Sequence, residues 1–168
     1  MHRQSIGHCL ETLAARFKLD LNLLRARYAD NYRELSPANQ APFPGARETC
    51  AFVHQNSGRN LIITHRELDP CHTLLEAHKM SALFDDIFST EQGYARKPAP
   101  DMILTAIAKY GLNPAETLMV GDRALDIQAG QAAGVATCLF GTAHLSVAAD
   151  FHVSHLSEIL AQIAPGTT

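Results

Sequence analysis

Leu118-Met119-Val120-Gly121-Asp122-Arg123-Ala124-Leu125-Asp126 passes from a short apolar run into a helical pattern through one glycine. Strand, tight turn and helix in that order are one half of a βαβ unit. The same succession recurs along the chain. Asn60-Leu61-Ile62-Ile63-Thr64 precedes a helical pattern from Leu68 to Lys79, and Ile87-Phe88-Ser89 precedes one from Asp101 to Tyr110. The helix predicted over Ala124 to Ala133 is followed by a strand from Val135 to Phe140, an extended segment at Phe151-His152-Val153 and a last helix from Leu156 to Ile163. Short apolar strands alternating with helices of about ten residues predict an α/β fold with a parallel sheet covered on both faces. Such sheets bind ligands at the carboxyl edge of their strands, so the residues just after each strand carry the functional reading.

Upstream, apolar positions recur at helical spacing from Ser5 to Tyr32, first Ile6, Leu10, Leu13 and Phe17, then Leu21, Leu24 and Tyr28. This predicts two helices broken near Lys18-Leu19-Asp20. Ser36-Pro37 and Ala41-Pro42-Phe43-Pro44-Gly45 form a linker that neither a helix nor a strand interior tolerates. Ala46, Cys50 and Val53 then mark a helical face that Ser57-Gly58 ends. The expected domains are a small helical unit over 1–42 and an α/β core over 43–168.

Composition narrows the function classes. The 168 residues hold 14 Lys plus Arg against 17 Asp plus Glu, a net charge of −3 without a basic cluster, which argues against a nucleic-acid partner. Apolar runs fall far short of the roughly 20 residues that cross a bilayer, and the N-terminal residues carry no secretory apolar core, so a cytoplasmic address and no membrane partner are expected. Cys9, Cys50, Cys71 and Cys138 have no metal-clamp spacing and read as reduced thiols.

Three strand ends carry chemistry. After Val120, Gly121 permits a tight turn, while Asp122 and Asp126, four positions apart, bring two carboxylates towards one point. Oxygen-only ligation suits Mg²⁺; taken alone, however, Asp122 reads equally as a helix N-cap. After Ile63, the hydroxyl of Thr64 can donate to an anion or merely cap a helix, and His65 and Arg66 can reach a substrate anion or face solvent. In Arg96-Lys97-Pro98-Ala99-Pro100-Asp101 the two prolines hold Lys97 on a rigid backbone, where its ammonium can neutralise a phosphate or pair with a carboxylate.

In this order and spacing, Leu61-Ile62-Ile63-Thr64, Lys97-Pro98-Ala99-Pro100 and Val120-Gly121-Asp122-Arg123-Ala124-Leu125-Asp126-Ile127-Gln128-Ala129-Gly130 resemble three of the four motifs of the haloacid dehalogenase (HAD) superfamily. The likeness is strongest to its small phosphatases of the phosphoglycolate phosphatase and β-phosphoglucomutase type, and it runs from Phe43 to the C-terminus. Pro44-Gly45, Ala82-Leu83-Phe84-Asp85-Asp86, Asn113-Pro114-Ala115-Glu116-Thr117 and Ala132-Ala133-Gly134-Val135 fit the pattern too. The resemblance implies a Rossmann-like fold with a small helical cap, and Mg²⁺-dependent hydrolysis of a small phosphorylated metabolite. By it, Thr64 and Lys97 are catalytic: Thr64 binds the phosphoryl group, and Lys97 stabilises the charge on nucleophile and phosphate. Thr64, His65 and Arg66 contact substrate; Asp122 and Asp126 serve the metal, Asp126 also holding Lys97. A mutase needs a bisphosphate-holding cap and a dehalogenase dispenses with Mg²⁺, so the paired aspartates favour the metal-dependent branch.

The family opens with an apolar strand followed by D-x-D, its first Asp the nucleophile that forms an aspartyl-phosphate. No D-x-D occurs here; Asp20-Leu21-Asn22 has the nearest spacing but lies in a helical pattern and ends in Asn. The chain begins in what reads as the first cap helix, so the expectation is a start at an internal methionine, with a central strand and its loop, on the order of 10–20 residues, lying upstream. The alternative is a non-catalytic relative that binds a phosphorylated ligand or a partner supplying that strand.

Overall fold

The structure, a computed structural model, describes residues 6–33, 35–141 and 147–163. It divides into two compact units, Met1–Gln40 and Ala41–Thr168. In the first, helices α1 (Ile6–Phe17) and α2 (Leu21–Arg33) pack together, burying Leu10 and Ala14. Asp20 starts α2 by accepting from the backbone N–H groups of Asn22 and Leu23 at 2.8 and 3.0 Å, and Arg25 reaches back to Glu11 at 2.9 Å. Ser5, where the helical pattern begins in the sequence, lies outside the described residues.

The second unit runs α3 (Ala46–Gln55), β1 (Leu61–Thr64), α4 (Leu68–Ala77), β2 (Asp86–Ser89), α5 (Asp101–Tyr110), β3 (Leu118–Gly121), α6 (Ala124–Ala133), β4 (Ala136–Phe140), β5 (Phe151–Val153) and α7 (Leu160–Ile163). Every described strand pairing is parallel. The predicted order of elements stands, with ends moved by one or two residues. The last helix departs most: its first turn, Leu156–Ile159, is 3-10, because Glu158 reaches back to the N–H groups of Ser154 and His155 and tightens it.

The strands form two sheets rather than one. One has the order β1-β2, with Ile62 opposite Ile87 and Thr64 opposite Ser89. The other has the order β3-β4-β5, with Val120 opposite Cys138 and Leu139 opposite His152. A common helical layer carries both. Ile103 of α5 packs with Ala129 and Ala133 of α6 and Val135, and both Ile63 of β1 and Met119 of β3 rest on that cluster. Met102 and Ala106 of α5 pack on Phe88, Leu61 and Ile63. Helix α6 lies close on its sheet, since a Cβ on Gly130 would stand 2.7 Å from Thr137 Cγ2 and 2.9 Å from Met119 Cβ. A third cluster, Cys138, Val153 and Ile159 with Leu118 and Phe140, closes the β3-β4-β5 sheet.

Burial within the strands has an unusual order. Ile87, Phe88 and Ser89 of β2 and Thr137, Cys138 and Leu139 of β4 are buried, whereas β1 is half-buried throughout and Val120 of β3 is 36 % exposed. Apolar runs such as Leu61-Ile62-Ile63 and Leu118-Met119-Val120 belong at the middle of a parallel sheet. Here each keeps one edge that pairs with no strand among the described residues. Backbone groups on such an edge are satisfied by water or by an added strand.

This arrangement fixes an exchange pattern. Amide hydrogen exchange measured by NMR is expected to be slowest in β4, which pairs on both edges, and markedly faster at the β1 and β3 amides that face away from β2 and β4.

Candidate active site

Thr64 ends β1 and opens a short loop to α4. Its Oγ1 accepts the backbone N–H of Arg66 at 3.0 Å, while the N-cap of α4 is Glu67, so Thr64 does not cap that helix. Ser89, the last residue of β2, and Thr90, just past it, hold the loop from the other side. The fully buried Ser89 hydroxyl donates to the Arg66 carbonyl at 2.6 Å, and Thr90 Oγ1 donates to that of His65 at 3.4 Å. Glu91 receives the N–H of Leu68 at 2.7 Å. The sequence reading passed over Ser89. Its signal was a polar residue closing the apolar run Ile87-Phe88, the position Thr64 occupies after Ile63.

Lys97 is held as its proline setting suggested, with a cis bond to Pro98. Its Nζ donates to the Ile63 carbonyl at 2.8 Å and pairs with Asp126 Oδ1 at 2.6 Å, both side chains being almost wholly out of water. One ammonium therefore joins the β1-β2 sheet to the first turn of α6, which follows β3. A charge pair removed from water depends on such geometry and on further hydrogen bonds, and loss of either partner leaves the other uncompensated.

Gly121 makes room for this pair. A Cβ there would collide with the Asp126 side chain, with Oδ2 only 2.8 Å away. Asp122 follows Gly121 and is half-buried; the N-cap of α6 is Arg123, which makes no side-chain cap bond. Asp122 and Asp126 are the carboxylates at this end of β3, and no group of three or more His, Cys, Asp or Glu side chains in metal-holding geometry occurs among the described residues. Mg²⁺ is commonly held by one or two carboxylates, with phosphate and water completing six oxygens, so Asp122 with a bound phosphoryl group fits that donor set.

His65 lies against the same segment: Nε2 accepts the backbone N–H of Lys97 at 2.7 Å, and Nδ1 is 3.2 Å from Arg96 Nη2. Burial, and then the positive charges of Arg96, Lys97 and Arg123, lower its pKa from 6.5 to about 4. Arg66 is half-buried in the same loop. His65, Lys97 and Asp126 are thus joined through Lys97, and Thr64, next to His65 in the chain, bonds the backbone of Arg66. A cavity of about 240 Å³ lined by Leu68, His72, Leu75, Phe84, Asp86 and Gln92 shares none of these residues.

Residues 2–140 match the family of haloacid dehalogenase-like hydrolases. The chain belongs to this family. It is 31 % identical over 119 residues to the phosphoglycolate phosphatase of Aliivibrio fischeri, a match covering 69 % of this chain and 52 % of that protein. The chain spans about half the length of the curated relatives it matches. Among solved structures, a predicted phosphoglycolate phosphatase from Haemophilus somnus superposes with a TM-score of 0.78 at 18 % identity, over 91 % of this chain and 73 % of that one. The HAD-hydrolase YfnB from Bacillus subtilis, solved bound to magnesium, gives 0.71 at 21 % identity, over 86 % and 63 %. These likenesses establish the HAD fold, an α/β arrangement of parallel strands and helices.

Two outcomes follow from the geometry. Asp126→Asn strips the charge partner from the buried Lys97 and is expected to cost about 3–5 kcal/mol in urea denaturation; Gly121→Ala should lower stability in the same direction by displacing Asp126. His65 binds its proton more weakly folded than unfolded, so its contribution is fully present above pH 6.5 and is lost as pH falls from 6.5 towards about 4. Stability measured against pH should decline across that window in the wild type and less steeply in His65→Asn. The lowered Asp86 and Asp150 act below it, losing their contribution as pH falls beneath 3.8.

Proposed function

We propose that the whole protein hydrolyses a small phosphomonoester with Mg²⁺ through an aspartyl-phosphate, and that residues 43–168 are its α/β core and 1–42 a small helical cap. The observation that carries this reading is the Lys97–Asp126 pair, with its bond to Ile63, between Thr64 and Asp122. An ammonium has three protons; two are committed to Asp126 and Ile63, leaving the third for a phosphoryl oxygen or a nucleophilic carboxylate. The Thr64 oxygen accepts from Arg66, and its hydroxyl, which also lies in hydrogen-bond reach of the Cys71 thiol, can turn its proton to the phosphoryl group. Such donors, fixed before reaction in a site with little water, stabilise developing negative charge. Asp122 would hold Mg²⁺, and Asp126 would serve it through its second oxygen or through Lys97. Bound there, Mg²⁺ would supply neutralisation of the charge on the phosphoryl group.

The nucleophile belongs to a strand that precedes this chain and lies between β1 and β3, ending in D-x-D beside Lys97. The half-buried edges of those strands, which pair with no strand among the described residues, support that assignment. They also favour one second reading, in which the chain takes the strand from a separate partner and binds phosphate without turnover. The relatives named phosphoglycolate phosphatase bring a small phosphorylated acid forward as the substrate class.

A longer form carrying the apolar strand and D-x-D ahead of Met1 is expected to release phosphate from small phosphomonoesters, to stop on chelation of Mg²⁺, and to lose about 10²–10³-fold in kcat on Lys97→Ala. Metal-independent release, or none from any ester in a panel, would overturn the catalytic reading. Binding of phosphate and of a strand peptide with no release would favour the second.

A further inference from the structure

The hydrogen bonds of His65 are in conflict. Its Nε2 lies 2.7 Å from the backbone nitrogen of Lys97 and its Nδ1 lies 3.2 Å from Arg96 Nη2. Both neighbours are pure donors, since neither an amide N–H nor a guanidinium offers a lone pair. A neutral imidazole has one acceptor nitrogen, and the shorter contact takes it. The ring proton therefore sits on Nδ1, so an Nδ1–H and an Arg96 N–H stand side by side as two donors that cannot bond each other. A protonated ring would turn both contacts into donor against donor, and the low pKa of about 4 agrees with its exclusion.

The surrounding charge runs the same way. Arg123 adds a positive field at the ring, and neither Arg96 nor Arg123 has an ion-pair partner among the described residues. Lys97, by contrast, is matched by Asp126. The paired donors also lie at the backbone end of Lys97, while its ammonium is at the other end of the side chain, about 6 Å away when extended. A phosphoryl group held by the ammonium and Thr64 leaves the paired donors at the other end of Lys97 for a second acidic group of the same ester.

We infer that His65 Nδ1–H and the Arg96 guanidinium form a two-donor fork for an oxyanion, and that its ligand is a second acidic group, carboxylate or phosphate, on the leaving-group side of the substrate. This rests on the phosphomonoester reading above for the identity of the first group. Charge-assisted bonds from two fixed donors give such a fork both affinity and direction. Arg96 is exposed, so the fork is open to a ligand and the side chain is dispensable for folding.

The test uses the 168-residue protein labelled with ¹⁵N. Long-range ¹H–¹⁵N spectra of the imidazole are expected to show His65 as the Nδ1–H tautomer. Titration with phosphoglycolate and with ethyl phosphate, of similar length but lacking the carboxylate, should shift His65 Nδ1 and give about tenfold tighter binding of the former. In Arg96→Gln, with an unchanged thermal melt, that ratio should fall to near one. Replacing the carboxylate by a second phosphate, as in ethylene glycol bisphosphate, distinguishes the two acid classes. The Nε2–H tautomer, a wild-type ratio near one, no shift with either compound, or a ratio that survives Arg96→Gln would each overturn the fork. A ratio that behaves as expected beside a longer form without Mg²⁺-dependent turnover would overturn the catalytic reading alone.

Discussion

The contact between the Lys97 ammonium, Asp126 and the Ile63 carbonyl is the constraint on which the functional end of the molecule turns. It is the point where a residue of the β1-β2 sheet, the loop before α5 and the first turn of α6 are held by one side chain. The apolar helical layer sets the distance between the sheets from below. The ion pair sets it at the carboxyl edge, where the proposed phosphoryl chemistry tolerates little displacement. Because both charges are out of water, the geometry is close to all-or-none: a displaced Asp126 leaves a buried ammonium without a counter-charge, and the surrounding structure must move to solvate it.

The local order of elements was legible in the sequence because its signals are short-range. Pro42 and Pro44, the glycines after α5 and α6, and the apolar runs at Leu61 and Leu118 act over a few residues each, and tertiary packing had nothing to override. The lack of D-x-D was legible too, and in the fold β1 and β3 are half-buried strands that each keep one edge with no partner strand among the described residues. Residue type and spacing alone leave Thr64, Lys97, Asp122 and Asp126 open to capping or solvent-facing roles; their nomination as site residues comes from the resemblance to the family's motifs.

What the sequence did not reveal lies in contacts between segments about thirty residues apart. No periodicity links His65 to the backbone of Lys97 or to Arg96, and Ser89, although it closes an apolar run as Thr64 does, carries no sign of which loop its hydroxyl will clamp. Such contacts come from strand register, with Thr64 level with Ser89, and register is a property of the assembled sheet. The 3-10 start of the last helix is similar: Glu158 is an ordinary capping residue by type, and the way it closes that turn depends on how His155 leaves β5.

Among the described residues, every ladder in the second unit joins strands that are neighbours in the chain: β1 with β2, β3 with β4, β4 with β5. Contacts of this kind close short loops and carry a small entropic cost, so each sheet can form early and on its own. The meeting of the two halves is then a separate event, made through α5, α6 and the Lys97 bridge. The same seam is the natural place for the native molecule to open in part, which would give the carboxyl edge an intermittent mobility that neither sheet shares.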